Sequence, residues 1–135
     1  NGDERPSQNR PAKTGEPKPT SSDQEQVRQA IQAWARAWEQ KNMGAYLSAY
    51  DQTFDPPGGL SRKAWEKDRT DRIIYKSKIS VNLGNLQIKV NGNTATSTFV
   101  QRYQADQLKV SGRKTLKLIK RGNNWRITQE SIGNN

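Results

Sequence analysis

Neither cysteine nor histidine occurs among the 135 residues. The first absence rules out disulfide bonds and a cysteine nucleophile. The second rules out a Ser-His-Asp triad and any imidazole acid–base pair. Together they remove the nitrogen and sulfur ligands of ordinary zinc sites, so a metal would need oxygen ligands alone. No metal and no cofactor are expected. Apolar side chains are also scarce, at 30% of the chain. Globular domains run at roughly 45–50%, glycine included, so part of the chain is expected to lie outside a packed core. No run of about 18 apolar residues exists, and no helical membrane span is predicted. The chain starts at Asn1 without a charged-then-apolar leader, and it reads as a piece of a longer protein.

The unpacked part is easily located. Residues 1–22 hold four of the six prolines, no aromatic residue, and no aliphatic side chain larger than alanine. Such a segment buries too little apolar surface to offset its ordering entropy, so it is expected to be a disordered tether. The domain is then residues 23–135. Ser22 and Glu25 have capping-box spacing, and after them Val27, Ala30, Ile31, Trp34, Ala37 and Trp38 recur at helical period. The spacing predicts a helix over about 23–40. Met43, Tyr46, Leu47 and Tyr50 form the stripe of a short second helix. Asp55-Pro56-Pro57-Gly58-Gly59 is expected to be non-helical. Ser61 reads as the cap of a third helix, with Trp65, Arg69 and Ile73 on one line.

From Lys78 the period becomes two. Ile79, Val81 and Leu83 alternate, then Leu86, Ile88 and Val90, with a parity shift at Gly84-Asn85 that predicts a bulge. Asn91-Gly92 marks a hairpin turn. Further strands are predicted over 94–106, about 113–120, and from Trp125 onward. Three helices followed by antiparallel strands make an α+β plan, with a bent sheet facing the helices and a cavity between them.

The order of elements resembles the nuclear transport factor 2-like (SnoaL-like) superfamily, the cone-shaped fold of ketosteroid isomerase. The sequence is most similar to the accessory C-terminal domains of L,D-transpeptidase-type bacterial cell-shape and envelope proteins. The resemblance rests on W-x-x-A-W (Trp34 to Trp38), Y-L-x-x-Y (Tyr46 to Tyr50), S-R-x-x-W-x-x-x-R (Ser61 to Arg69), F-x-Q-x-Y (Phe99 to Tyr103), K-T-L-x-L (Lys114 to Leu118) and W-x-I-x-x-E (Trp125 to Glu130), over about residues 24–131. It implies a location in the bacterial cell envelope, periplasmic, within a longer protein. It implies no established chemistry.

Isomerase-like relatives use a buried carboxylate as general base. Here the sheet half offers only Asp106, at a strand end, and Glu130, whose parity is opposite to that of Trp125 and Ile127. Glu130 is therefore expected to point away from the cone, paired with a basic residue, and no catalytic residue is assigned. Asp51, Asp55, Asp68 and Asp71 read as solvated charges. Tyr50, Trp65, Arg69, Phe99, Gln101, Tyr103 and Lys114 are expected to converge on the cone and hold a small polar or glycan-derived ligand. The competing expectation is that the aromatics are plain core and that Arg69 is salt-bridged.

The net charge is +10, distributed as +1 over residues 23–77 and +8 over 78–135. Lys109, Arg113, Lys117, Lys120 and Arg121 form a candidate site for an anionic partner such as a cell-wall polymer. Nucleic acid fits less well, because no aromatic side chains are interleaved with the basic run. The functional expectation is a non-catalytic binding domain. The alternatives are an isomerase- or cyclase-like enzyme using Tyr50, Tyr103 or Glu130, and a homodimerisation or protein-partner module.

Overall fold

A computed structural model describes residues 19–132, with side chains from Asp23 onward. Residues 1–18, most of the segment read as a tether, lie outside the described residues. Helix α1 spans Pro19–Glu39. Its apolar stripe of Val27, Ile31, Trp34 and Trp38 is buried throughout. The helix starts earlier than the capping-box spacing predicts, since proline is tolerated in a first turn. Ser22 thus lies inside α1, and Glu25 accepts a hydrogen bond from Gln29 Nε2 at 3.2 Å, one turn further on.

Lys41, at φ 59°, breaks the chain out of α1. Helix α2, Met43–Ser48, is capped by Asn42, whose Oδ1 accepts from the Ala45 N–H at 3.2 Å. Just beyond it the backbone is tied to the sheet: Asp51 N–H donates to the Ile127 carbonyl at 2.7 Å, and Ile127 N–H to the Ala49 carbonyl at 2.9 Å. The loop expected to be non-helical carries one 3-10 turn at Pro57–Gly59, which Gly58, at φ 73°, prevents from propagating. Helix α3, Arg62–Ile74, starts at Ser61, whose hydroxyl accepts from the Ala64 N–H at 3.1 Å.

Four strands follow: β1 Ile79–Asn91, β2 Thr94–Ala105, β3 Leu108–Arg121 and β4 Asn124–Ile132. They pair antiparallel in the order β1-β2-β3-β4. The register of β1 on β2 shifts between Gly84 and Gln87, the position of the parity change, so β1 is one continuous bent strand. Two boundaries differ from expectation. Asn91 pairs with Thr94, so the first turn is Gly92-Asn93. Strand β3 begins at Leu108, because Asp106, at φ 56°, reverses the chain within two residues and brings Leu108 opposite Ala105. A second irregularity lies in β4. Lys117 faces Gln129 while Leu118 faces Ile127, leaving Thr128 as an extra residue. The helices cover the concave face of the bent sheet, with Trp34, Phe99, Leu116, Leu118 and Ile127 buried between them. The result is the expected α+β cone of three helices on a curved antiparallel sheet.

Candidate functional site

Where the helices stop short of the sheet, the cone stays open around a cavity of about 900 Å³. That is room for a ligand of disaccharide size. Two helices and three strands contribute side chains to it: Trp38 from α1, Trp65 and Arg69 from α3, Gln101 and Tyr103 from β2, Lys114 from β3 and Glu130 from β4. Trp65, Arg69, Gln101, Tyr103 and Lys114 thus converge. Two residues grouped with them do not line this cavity. Phe99 is buried edge-on to Trp34 at 6.2 Å, and Tyr50 packs between Phe54 and Trp65 at 4.6 Å from each. They form the layer behind the wall, because their positions lie deeper under the helices.

Glu130 corrects the sequence-based expectation. It points into the cone, where it pairs with Lys114 and accepts a hydrogen bond from the Tyr50 hydroxyl at 2.7 Å. The cause is the β4 bulge: the extra residue Thr128 reverses the alternation, so Glu130 sits opposite the buried Leu116 on the inner face. Burial pushes the Glu130 carboxyl up. Lys114, Tyr50 and Arg69 more than offset this and hold its pKa below the ordinary glutamate value. Tyr50 also accepts from Trp34 Nε1 at 2.9 Å, and its pKa is raised well above normal by burial and by the Glu130 charge. The result is a neutral phenol donating to an ionised carboxylate.

Arg69 is not salt-bridged to any described acid. Its Nε donates to the Tyr46 hydroxyl at 3.1 Å, and that hydroxyl lies 3.3 Å from Tyr50. The guanidinium rests over the rings of Trp38, at 5.3 Å, and Tyr46, at 5.8 Å. Burial pulls the Arg69 pKa down, but Tyr46, Tyr50 and Glu130 outweigh that and raise it. Neither terminal nitrogen of Arg69 has a hydrogen-bond partner among the described residues. Nearby, Trp38 stacks on Tyr103 at 5.0 Å. The Trp38 Nε1 donor and the Gln101 Oε1 acceptor are both buried without partners. With Arg69 and Lys114 against Glu130, the cavity carries one excess positive charge. Trp38 was read from sequence as core alone; its part in the cavity had no separate sequence signal.

Asp51, Asp68, Asp71 and Asp106 have structural partners, whereas the Asp55 carboxylate has none among the described residues. Asp51, expected to be solvated, is buried. It receives the Arg121 fork at 2.9 and 3.0 Å and two donors from Thr53, and these hold its pKa far below normal. Asp106 accepts from the backbone N–H groups of Ser77 and Lys78, at 3.1 and 3.2 Å, rather than from a basic side chain. Asp68 pairs with Arg72 and Asp71 with Lys67 along α3.

The candidate anion patch divides. Arg121 is committed to Asp51, and Lys120 turns to the helix side to meet Asp23 at 3.0 Å. Lys109, Arg113 and Lys117 stay on the convex face, exposed and without an acidic partner among the described residues. Among the described residues no group of three acidic side chains is placed to hold a metal. No described helix is long and apolar enough to cross a membrane.

The family model of the Cds6 C-terminal NTF2-like domain matches residues 26–131. No curated protein matches. Among solved structures, Bd1075 of Bdellovibrio bacteriovorus is 25% identical at a TM-score of 0.74, covering 81% of this chain and 39% of its own. The helical cell shape determining protein Pgp2 of Campylobacter jejuni is 16% identical at a TM-score of 0.69, covering 76% of this chain and 38% of its own. An NTF2-like protein of unknown function from Pseudomonas putida is 15% identical at a TM-score of 0.72, covering 84% and 87%. The chain thus spans under two-fifths of the first two proteins.

Proposed function

The chain belongs to the Cds6 C-terminal NTF2-like domain family, and from that footing we propose that it is a non-catalytic binding domain whose cone holds a small anionic, glycan-derived ligand. The observation that carries this reading is the Arg69 fork. It is partly buried and laid across aromatic faces, and both of its terminal nitrogens lack a partner among the described residues. A guanidinium so placed matches a carboxylate with two parallel hydrogen bonds. The unpaired Trp38 donor and Gln101 acceptor fit a hydroxyl or acetamido group beside it. The likeness to a cell-shape protein supports an envelope location, periplasmic, within a longer chain.

Catalysis by a carboxylate base is disfavoured on physical grounds. A general base works best with a pKa near the working pH, and Glu130 is shifted the other way by a committed ion pair.

A ligand-observed NMR screen of acidic sugars and cell-wall fragments tests the reading. Acid-bearing fragments should bind, and Arg69→Ala should weaken them by about 1.5–3 kcal/mol, the usual worth of a hydrogen bond to a charged group. No binding by any acid, or equal binding by a folded Arg69→Ala variant, overturns it.

A second reading has its own observation. The convex face carries Lys89, Arg102, Lys109, Arg113 and Lys117 among threonine, serine and glutamine, with no acidic residue on that face of β1, β2 or β3. This favours a linear anionic polymer as a further partner. It also disfavours face-to-face dimerisation there, since two such faces repel.

A further inference from the structure

Six large hydrophobic residues are exposed among those described: Leu60, Ile74, Tyr75, Leu108, Val110 and Ile132. Four of them line the mouth of the cone cavity: Tyr75, Leu108, Val110 and Ile132, at 78, 50, 51 and 82% exposure. The clustering follows from the fold. Leu108 and Val110 share the inner-face alternation of Lys114, Leu116 and Leu118, so by parity they belong to the core. Both nonetheless stay half exposed at the cavity mouth. Ile132 ends β4 opposite Lys114, and Tyr75 is the C-cap of α3. Three charged residues at the same rim are engaged, Asp71 with Lys67, Arg72 with Asp68, and Asp106 with backbone, while Lys76 has no side-chain partner among the described residues.

The cavity therefore has two zones in series, an unpaired guanidinium within and an apolar lip outside it. We infer that its ligand is an amphipathic acid, a carboxylate joined to an aliphatic or aromatic group, with the carboxylate on Arg69 and the apolar part on the lip of Tyr75, Leu108 and Val110. This rests on the reading of the cavity as an acid site and names the class of acid. Charge complementarity places the head on Arg69, the cation laid over the Trp38 and Tyr46 rings. Covering half-exposed Leu and Val side chains supplies the remaining affinity, roughly fourfold for each methylene buried.

The straight-chain acids from acetate to octanoate, titrated into the full chain and followed by amide chemical shifts, test this. Once the alkyl chain reaches the lip, the dissociation constant should fall about fourfold per carbon. Intermolecular NOEs should join the alkyl protons to the Tyr75 ring. Leu108→Ser combined with Val110→Ser should flatten the series while acetate binding is unchanged. Arg69→Ala should weaken every member. If the acids bind through Arg69 with no dependence on chain length, the amphipathic class is wrong and the acid site stands. A slope that persists in the serine variant, or NOEs that avoid Tyr75, overturns the inference as well. If no acid binds at any length, the acid reading beneath it has failed.

Discussion

Replacing Lys114 with methionine should destabilise the domain severely, and the loss should depend on pH. Lys114 and Glu130 are partners in a dry environment, with side chains 6% and 18% exposed. Methionine keeps most of the lysine stem's packing over Trp34 and Trp38 but removes the ammonium that sits 5.6 and 5.5 Å from their rings. The carboxylate is left with the Tyr50 hydroxyl and the more distant Arg69. Removing one member of a buried pair costs about 3–5 kcal/mol, because the other charge stays desolvated. For a domain of this size that lowers Tm by roughly 10–20 °C.

The pH arm follows from sign. In the wild type the Glu130 pKa is lowered, so its contribution is present above the ordinary glutamate range and is lost as pH falls through the lowered value. Without Lys114, burial, the largest influence on this group, is no longer outweighed, and the folded pKa rises. The penalty is then largest at neutral pH and shrinks as the carboxyl takes up a proton. Urea melts followed by tryptophan fluorescence should show the gap between wild type and variant narrowing from pH 7 to pH 4. Adding Glu130→Gln to the variant should recover much of the loss at pH 7. A gap below about 1 kcal/mol at pH 7, or one equal at both pH values, would refute the argument that the pair is energetically coupled and dry.

Trp34→Ala removes the most buried indole, which meets Trp38 and Phe99 and donates to Tyr50, and should cost roughly 3–5 kcal/mol in denaturant melts. On the convex face, the paired substitution Arg113→Ser and Lys117→Ser should weaken retention on an anionic polysaccharide column and leave cavity binding unchanged. That retention should also fall steeply between low and physiological salt, where exposed charges more than about 8–10 Å apart are screened. Arg69→Ala should show the opposite pattern.

The helices were legible because one stripe of large side chains carries each of them: Val27, Ile31, Trp34 and Trp38 on α1, and Trp65 and Ile73 on α3. The β1 bulge was legible because apolar alternation changes phase at Gly84-Asn85. Period also found most of the cavity. Trp65 and Arg69 share a helical line, and Gln101 and Tyr103 share a strand face, so folding either element brings its pair to the same wall. Depth was not legible. Phe99 and Tyr50 have the right parity or spacing yet lie under the helix layer, and no local pattern records how far the helices extend across the sheet. Partner choice was illegible for the same reason. Lys120 and Arg121 are neighbours in a basic run, but one meets Asp23 on α1 and the other Asp51 in the loop beyond α2, both distant in sequence.

Glu130 shows what one unsignalled residue can do. Strict alternation from Ile127 turns it outward, and Thr128 carries no mark of a bulge: it is neither glycine nor proline. Its hydroxyl donates to the Lys117 carbonyl at 3.1 Å, within the irregular pairing itself. Were β4 regular, Lys114 would be buried without a counter-ion and Tyr50 without its acceptor, so the inner face could not carry this lysine at all. The bulge supplies the carboxylate, and the carboxylate is consumed by Lys114 and Tyr50. Arg69 is thereby left with unoccupied hydrogen-bonding capacity at its terminal nitrogens. That division of labour, one ion pair within the wall and one guanidinium open to the cavity, is what the proposed reading as an anion site, rather than a proton-transfer site, rests on.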